Sequence, residues 1–141
     1  GQLVVYPILN LGKAGLGPKD YVCKLEQAVI DILCSYGISA DRDKENPGVW
    51  VGREKICAVG IRISRRVSLH GIALNVSNSL ELFGKMTPCG LVGRGVTSIE
   101  RHCNTNVSVR EVMENFSSRF GELIAGDKIK ILAFNENMLK Y

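Results

Sequence analysis

No apolar run in this chain approaches the roughly 20 residues that a membrane-crossing helix needs. Neither a spanning helix nor a membrane partner is therefore expected. No two cysteines have Cys-x-x-Cys spacing, and the total of five, Cys23, Cys34, Cys57, Cys89 and Cys103, is odd. That fits neither a disulfide framework nor a zinc ribbon, so a reducing, intracellular setting is expected. Histidine is scarce, with His70 and His102 alone. A metal site would have to recruit scattered cysteines, and no metal is expected. Nor is either charge in large excess: 18 Lys+Arg against 14 Asp+Glu give a net charge of +4. This is too mild to indicate a nucleic-acid partner, although it suits an acidic protein. Nothing near Gly1 has the charged, apolar and small-residue zones of a secretory signal.

What is present is the composition of one folded domain. The chain has 141 residues, 45% hydrophobic and 23% charged, enough apolar surface to offset the entropy of ordering it. Residues 3–9 are β-branched and aromatic and read as a strand, in which Pro7 requires an edge, a bulge or a strand end. From Pro18 the apolar positions Tyr21, Val22, Leu25, Ala28, Val29, Ile32 and Leu33 recur at helical spacing, and Gly37 ends the pattern. Residues 38–40 read as a short strand, and 41–48 as a charged turn closed by Asn46-Pro47-Gly48. Val49-Trp50-Val51, 55–63 and 67–76 follow as three strands, for which a meander is the economical topology. Ser108-Val109-Arg110-Glu111 has the form of a capping box and opens a second helix through Val112, Met113, Phe116, Phe120, Leu123 and Ile124. A strand is possible over 129–134. Consecutive strands with two long helices define an α+β class rather than an alternating doubly wound sheet.

The most unusual stretch is Thr87-Pro88-Cys89-Gly90-Leu91-Val92-Gly93-Arg94-Gly95-Val96-Thr97-Ser98, which puts a thiol on a glycine-rich loop. It lacks the Gly-Lys-Ser/Thr ending of a nucleotide-phosphate loop. Cys89 is therefore either a buried structural cysteine or a reachable nucleophile. Lys55 opens an apolar strand. It is either an exposed ammonium at a strand end or a desolvated amine able to exchange protons and activate a thiol. Ala58 and Gly60 share one strand face and Gly71 and Ala73 another, leaving room for a slender apolar ligand or for close backbone contact. On a regular strand Lys55 points away from the face of Ala58, so a working pair with a thiol needs a twist or a bulge. His70 reads as a satisfied histidine or a substrate-side hydrogen-bond group, and His102 as a surface residue. Arg62, Arg65 and Arg66 form a basic cluster at a turn, suited to an acidic carrier.

Three segments in this order and spacing, Lys55-Ile56-Cys57-Ala58-Val59-Gly60-Ile61-Arg62, His70-Gly71-Ile72-Ala73-Leu74-Asn75, and Pro88-Cys89-Gly90 with Gly93-Arg94-Gly95-Val96-Thr97-Ser98, resemble the lipoyl(octanoyl) transferases. The likeness runs to about Ile124. It implies a biotin/lipoate protein ligase-like α+β fold, a mixed sheet flanked by helices, with residues 1–125 as the C-terminal part of one octanoyltransferase domain and 126–141 as an extension. It also implies transfer of octanoyl from octanoyl-acyl carrier protein to a lysine of a lipoyl domain, in the 2-oxoacid dehydrogenases or the glycine cleavage H protein. No cofactor is required. By the same resemblance Cys89 is the nucleophile that becomes a thioester, Lys55 lowers the thiol pKa and shuttles protons, and Ala58, Val59, Gly60, Gly71, Ile72 and Ala73 contact substrate. The compartment implied is the cytoplasm of a bacterium or the mitochondrion of a eukaryote. A lipoate ligase-like protein or a non-catalytic binding module of the same fold is the alternative. The family pattern places an arginine and a histidine in a segment leading into a Gly-Gln, and here Gly1-Gln2 matches that final pair. An N-terminal segment carrying both, with one wall of the acyl pocket, is therefore expected before Gly1.

Overall fold

The structure is a computed structural model that describes residues 1–44, 46–81, 94–103 and 105–125. Cys89, with Pro88, Gly90 and Gly93, lies outside the described residues, as do the expected strand over 129–134 and the extension 126–141.

Strand β1 (Gln2–Val5) is followed by helix α1 (Pro18–Ser35), then by β2 (Asp41–Arg42), β3 (Gly48–Val51), β4 (Glu54–Ser64) and β5 (Val67–Asn75). After the undescribed segment come β6 (Gly95–Val96), a 3-10 turn at Ile99–Arg101 and helix α2 (Val109–Ala125). The described strands form one sheet in the order β1-β5-β4-β3-β2, with β6 pairing β4 in parallel. β3, β4 and β5 are the expected antiparallel meander. Parallel β6 makes the sheet mixed. Pro7 is tolerated because β1 stops at Val5 on the sheet edge, where a missing N–H breaks no ladder. Residues 38–40 do not form the expected strand. Ile38 instead plugs the core while the pairing shifts to Asp41 and Arg42 opposite Trp50 and Val49.

Both helices cover one face of the sheet. Of the stripe read from the sequence, α1 buries Tyr21, Leu25, Ala28, Val29, Ile32 and Leu33, all at most 4% exposed, and leaves Val22 half-buried. They join Val112, Phe116 and Phe120 of α2 and Leu3, Ile56, Ile72 and Leu74 of the sheet in a single core. Phe116 stacks on Phe120, with Tyr21 edge-on to the latter. The start of α1 is closed by the Gly17 N–H donating to Asp20 Oδ2 at 3.2 Å. Glu111 of the expected capping box accepts from the Tyr36 hydroxyl at 2.8 Å, tying α2 to the end of α1. That contact, with burial as the larger cause, pushes the Tyr36 pKa up to about 12.

The opposite face is open among the described residues, and Val4 and Tyr6 stand on it 50% and 60% exposed. Two backbone devices shape it. Arg65 and Arg66 both take positive φ, 48° and 67°, forming the two-residue hairpin between paired Ser64 and Val67. Asn-Gly is the usual choice in such a turn, so two arginines there carry strain. Gly71 allows the second device, because a Cβ there would sit 2.1 Å from the Val5 carbonyl oxygen. β1 can approach β5 only over a bare α-carbon.

Gly60 is paired with Gly71, yet a Cβ at Gly60 would meet nothing within 4 Å. The two glycines should therefore respond in opposite ways. Gly71→Ala is expected to cost about 1–3 kcal/mol as overpacking, read as a lower urea midpoint at constant slope. Gly60→Ala should stay within about 0.5 kcal/mol of the parent. Equal effects would contradict the close approach at Gly71.

Candidate active site

The strand that carries Lys55 breaks its own alternation. Along β4 the residues from Ala58 to Ser64 alternate between exposed and half-buried, but Ile56 and Cys57 are buried in succession, both at 0% exposure. The cause lies in the pairing: Val49 faces Cys57 and Trp50 faces Lys55, so Ile56 is an extra residue on β4. This is a β-bulge, and it shifts the side-chain parity by one. Lys55 is thereby returned to the face of Ala58, against the expectation for a regular strand. Its Cε lies 3.4 Å from where a Cβ on Gly48 would stand, and Gly48 is the cross-strand partner of Ala58. The ammonium donates to the Pro47 carbonyl at 3.2 Å and lies 4.8 Å from the centre of the Trp50 ring.

On the same face a groove of about 490 Å³ is lined by Gln2, Val4, Tyr6, Ala58, Gly60, His70, Gly71, Ile72 and Ala73. Five of the six residues expected to contact substrate are brought together there. The sixth, Val59, takes the alternate parity, as does its cross-strand partner Ile72, and both pack with the core, so Ile72 borders the groove without standing on its face. Val4, Ala73, Ala58 and Gly48 form one register row across four strands, which explains the shallow floor: little stands up from it. His70 is held at a φ of 62° and meets Tyr6 edge-on at 5.8 Å. A left-handed conformation in a histidine costs of order 1 kcal/mol and tends to occur at functional sites.

The described end of the glycine-rich motif reaches Lys55 directly. β6 pairs Gly95 with Glu54 and Val96 with Lys55, and the Thr97 N–H donates to the Lys55 carbonyl at 3.0 Å. Asn75, only 6% exposed, secures this join. Its Nδ2 donates to the Thr97 carbonyl at 3.0 Å, while its Oδ1 accepts from Gln2 Nε2 at 2.8 Å and Asn78 Nδ2 at 3.2 Å. Thr97 Oγ1 is hydrogen-bonded to Nε2 of the exposed His102 at 2.9 Å. The described end of the third motif, from Arg94 to Ser98, thus meets the first two in space. The sequence assigned no role to Gln2, Tyr6, Trp50 or Asn75, although Gln2 and Asn75 lie in segments that carry the resemblance.

The four cysteines among the described residues are free. Cys57 points into the core, and burial pushes its thiol well above the usual range. That makes it a packing residue. Among the described residues no group of three His, Cys, Asp or Glu is placed to hold a metal ion, and no helix is long and apolar enough to cross a membrane.

A helix-backed sheet of this form is the biotin and lipoate ligase fold. An apo biotin protein ligase from Aquifex aeolicus aligns at a TM-score of 0.70 over 92% of this chain and 55% of that one, with 19% identity. A lipoate-protein ligase A bound with ATP aligns at 0.64 over 96% and 55%, with 15% identity. Within that fold the sequence is more specific. Residues 1–121 match the lipoyl protein ligase A/B catalytic domain. An octanoyltransferase of Syntrophobacter fumaroxidans is 48% identical over 90% of this chain and 56% of its own length. A mitochondrial octanoyl-[acyl-carrier-protein]:protein N-octanoyltransferase of Xenopus tropicalis is 41% identical over 86% and 51%. The chain belongs to the lipoyl protein ligase A/B catalytic domain family. It spans about half the length of these relatives.

The cysteine environments are open to a direct check. Under native conditions iodoacetamide should modify exposed Cys34 and spare Cys57, which should react only on unfolding. Peptide mass spectrometry reads both, and rapid native labelling of Cys57 would contradict its burial.

Proposed function

We propose that this chain carries the lysine half of an octanoyl-transfer site. In this reading octanoyl passes from octanoyl-acyl carrier protein to Cys89 and then to a lysine of a lipoyl domain, such as those of the 2-oxoacid dehydrogenases or the glycine cleavage H protein. The observation that carries the reading is the bulge at Ile56, which sets Lys55 on the same sheet face as a groove floored by Ala58, Gly60, Gly71 and Ala73. The names of the relatives supply the acyl group and the carrier. Cys89 enters by its place in the Pro88-Cys89-Gly90 motif. The bacterial cytoplasm or the mitochondrion is the matching compartment.

The chemistry balances without an added cofactor. Lys55, as free amine, takes the Cys89 thiol proton, and the thiolate attacks the acyl carbonyl of the carrier thioester. The carrier sulfur leaves and takes the proton from Lys55. One thioester has replaced another, a nearly neutral exchange. In the second half Lys55 removes a proton from the acceptor ammonium, whose nitrogen then attacks the Cys89 thioester. The attacking nitrogen gives up a second proton to solvent as the amide forms, and Cys89 leaves as thiolate, recovering its proton from Lys55. Cysteine serves both halves, being a strong nucleophile when ionised and a good leaving group afterwards. A lysine amine serves both as base and as acid. The groove contributes binding, since each methylene it removes from water stabilises the complex by about 0.8 kcal/mol.

Two outcomes test this in the full-length protein. Incubation with octanoyl-carrier protein, followed by intact-mass measurement, should show an octanoyl adduct that Cys89→Ser abolishes and that Cys23→Ser, Cys34→Ser and Cys103→Ser retain. No adduct on the parent would favour a ligase-like or non-catalytic module. Separately, Gly60→Leu should raise the KM for octanoyl carrier tenfold or more, the equivalent of about 1.4 kcal/mol, while leaving the urea midpoint nearly unchanged. An unaltered KM would remove the groove from the reading.

A further inference from the structure

The charged turn over 41–48 and Arg94 have no part in the chemistry above, yet they surround its lysine. Trp50 is the single tryptophan of the chain. It is 4% exposed, and its indole N–H donates to the Asn46 carbonyl at 3.2 Å. The ring is therefore a fixed post. Two cations approach it: Lys55 Nζ at 4.8 Å from the ring centre and Arg94 Cζ at 4.6 Å. Both lie within the range over which an aromatic face attracts a cation. Arg94 is one-third exposed and forms an ion pair with Asp43, which is 16% exposed. Asp43 is itself fixed, accepting the Asn46 N–H at 2.9 Å and Asn46 Nδ2 at 3.3 Å through its other oxygen.

The outcome is an asymmetry between two neighbouring cations. Arg94 takes the carboxylate. Lys55 has only a carbonyl and a ring face, and among the described residues no carboxylate is paired with it. That difference matters chemically. A guanidinium stays protonated whatever its partner, whereas an amine needed as a base must be able to lose its proton. A carboxylate that captured Lys55 would hold that proton in place.

We propose that Arg94 is a positioning residue for Lys55. By occupying Asp43 over the Trp50 ring, it denies Lys55 a carboxylate partner and keeps the amine on the groove face. The proposal rests on reading Lys55 as the base, but its mechanism is a local competition for Asp43 that can be measured apart from turnover. The same segment also grips Lys55 from behind, since Thr97, three residues on from Arg94, bonds the Lys55 carbonyl. The end of the glycine-rich motif thus fixes both the backbone and the charge environment of the lysine.

The test uses the competition itself. Arg94→Met keeps a long stem and removes the charge, freeing Asp43 to capture Lys55. Labelling of Lys55 by an acetylating reagent at pH 8, followed by peptide mass spectrometry, should then slow about tenfold. The double variant D43N/R94M should restore labelling to within about twofold of the parent, because position 43 no longer offers a carboxylate to capture the amine. Trp50 emission should shift in R94M as one cation leaves its ring. Octanoyl transfer should follow labelling, lost in kcat more than in KM and recovered in the double variant. Unchanged labelling in R94M would overturn the proposal, as would a double variant no better than the single one, which is the behaviour of a merely structural contact. Should R94M fail to fold, D43N and D43N/R94M decide: labelling within twofold of the parent in both supports the competition, and a tenfold loss in either overturns it. If labelling behaves as expected while the parent transfers no octanoyl, the control of Lys55 stands and the transfer reading falls.

Discussion

A β-strand has two faces and a period of two, so every residue on a regular strand inherits its side from its neighbours. β4 has to serve the core with Cys57, Val59, Ile61 and Ile63 while offering Ala58, Gly60 and Lys55 to the other side. Those demands conflict by one residue, and the insertion of Ile56 opposite Trp50 resolves them. A bulge forfeits regular pairing at one point. Here the loss is offset by burying Ile56 and Cys57 in succession, both sealed from water. Everything at the candidate site depends on this change of parity, because without it the amine would face the helices.

The second constraint is satisfaction of polar groups at the join between distant segments. Asn75, at the end of β5, sits where β1 and the end of the glycine-rich motif converge, and its side chain bonds Gln2 of β1, Thr97 of the motif and Asn78. A buried amide that uses both its oxygen and its nitrogen fixes the relative placement of its partners more sharply than apolar packing does, because each misplacement leaves a polar group unpaired. The apolar core beneath sets the layer spacing. Asn75 sets the register of the motif against Lys55.

Much of this was legible from the residues. The helical stripe from Tyr21 to Leu33, the meander and the α+β class follow from periodicity, which is a local property, and the three-motif resemblance singled out Lys55 and five of the nine residues that line the groove. What could not be read depends on partners far along the chain. The side on which Lys55 emerges is set by where β3 lies against β4, and no local pattern encodes an unpaired Ile56. Residues 38–40 have strand-like composition, but the extended pairing of β3 falls on Asp41 and Arg42 instead. Val59 belongs to a substrate-contact stretch by sequence, yet strict alternation turns it inward. Arg94, Asp43 and Trp50 stand at separated positions, so only the folded chain makes them one cluster.

The hairpin between β4 and β5 closes over two residues, whereas β1 finds β5 across the whole intervening chain: Gln2 and Asn75 are 73 positions apart. Bringing two ends together costs entropy that grows with the length between them, and contacts of that kind form slowly. The meander can assemble from near neighbours, leaving the outer rim of β5 without its companion until β1 arrives. During that interval β5 offers a row of unpaired amides and carbonyls, the template on which extended segments of other chains add. The bare α-carbon of Gly71 lets β1 settle close enough to cover that rim.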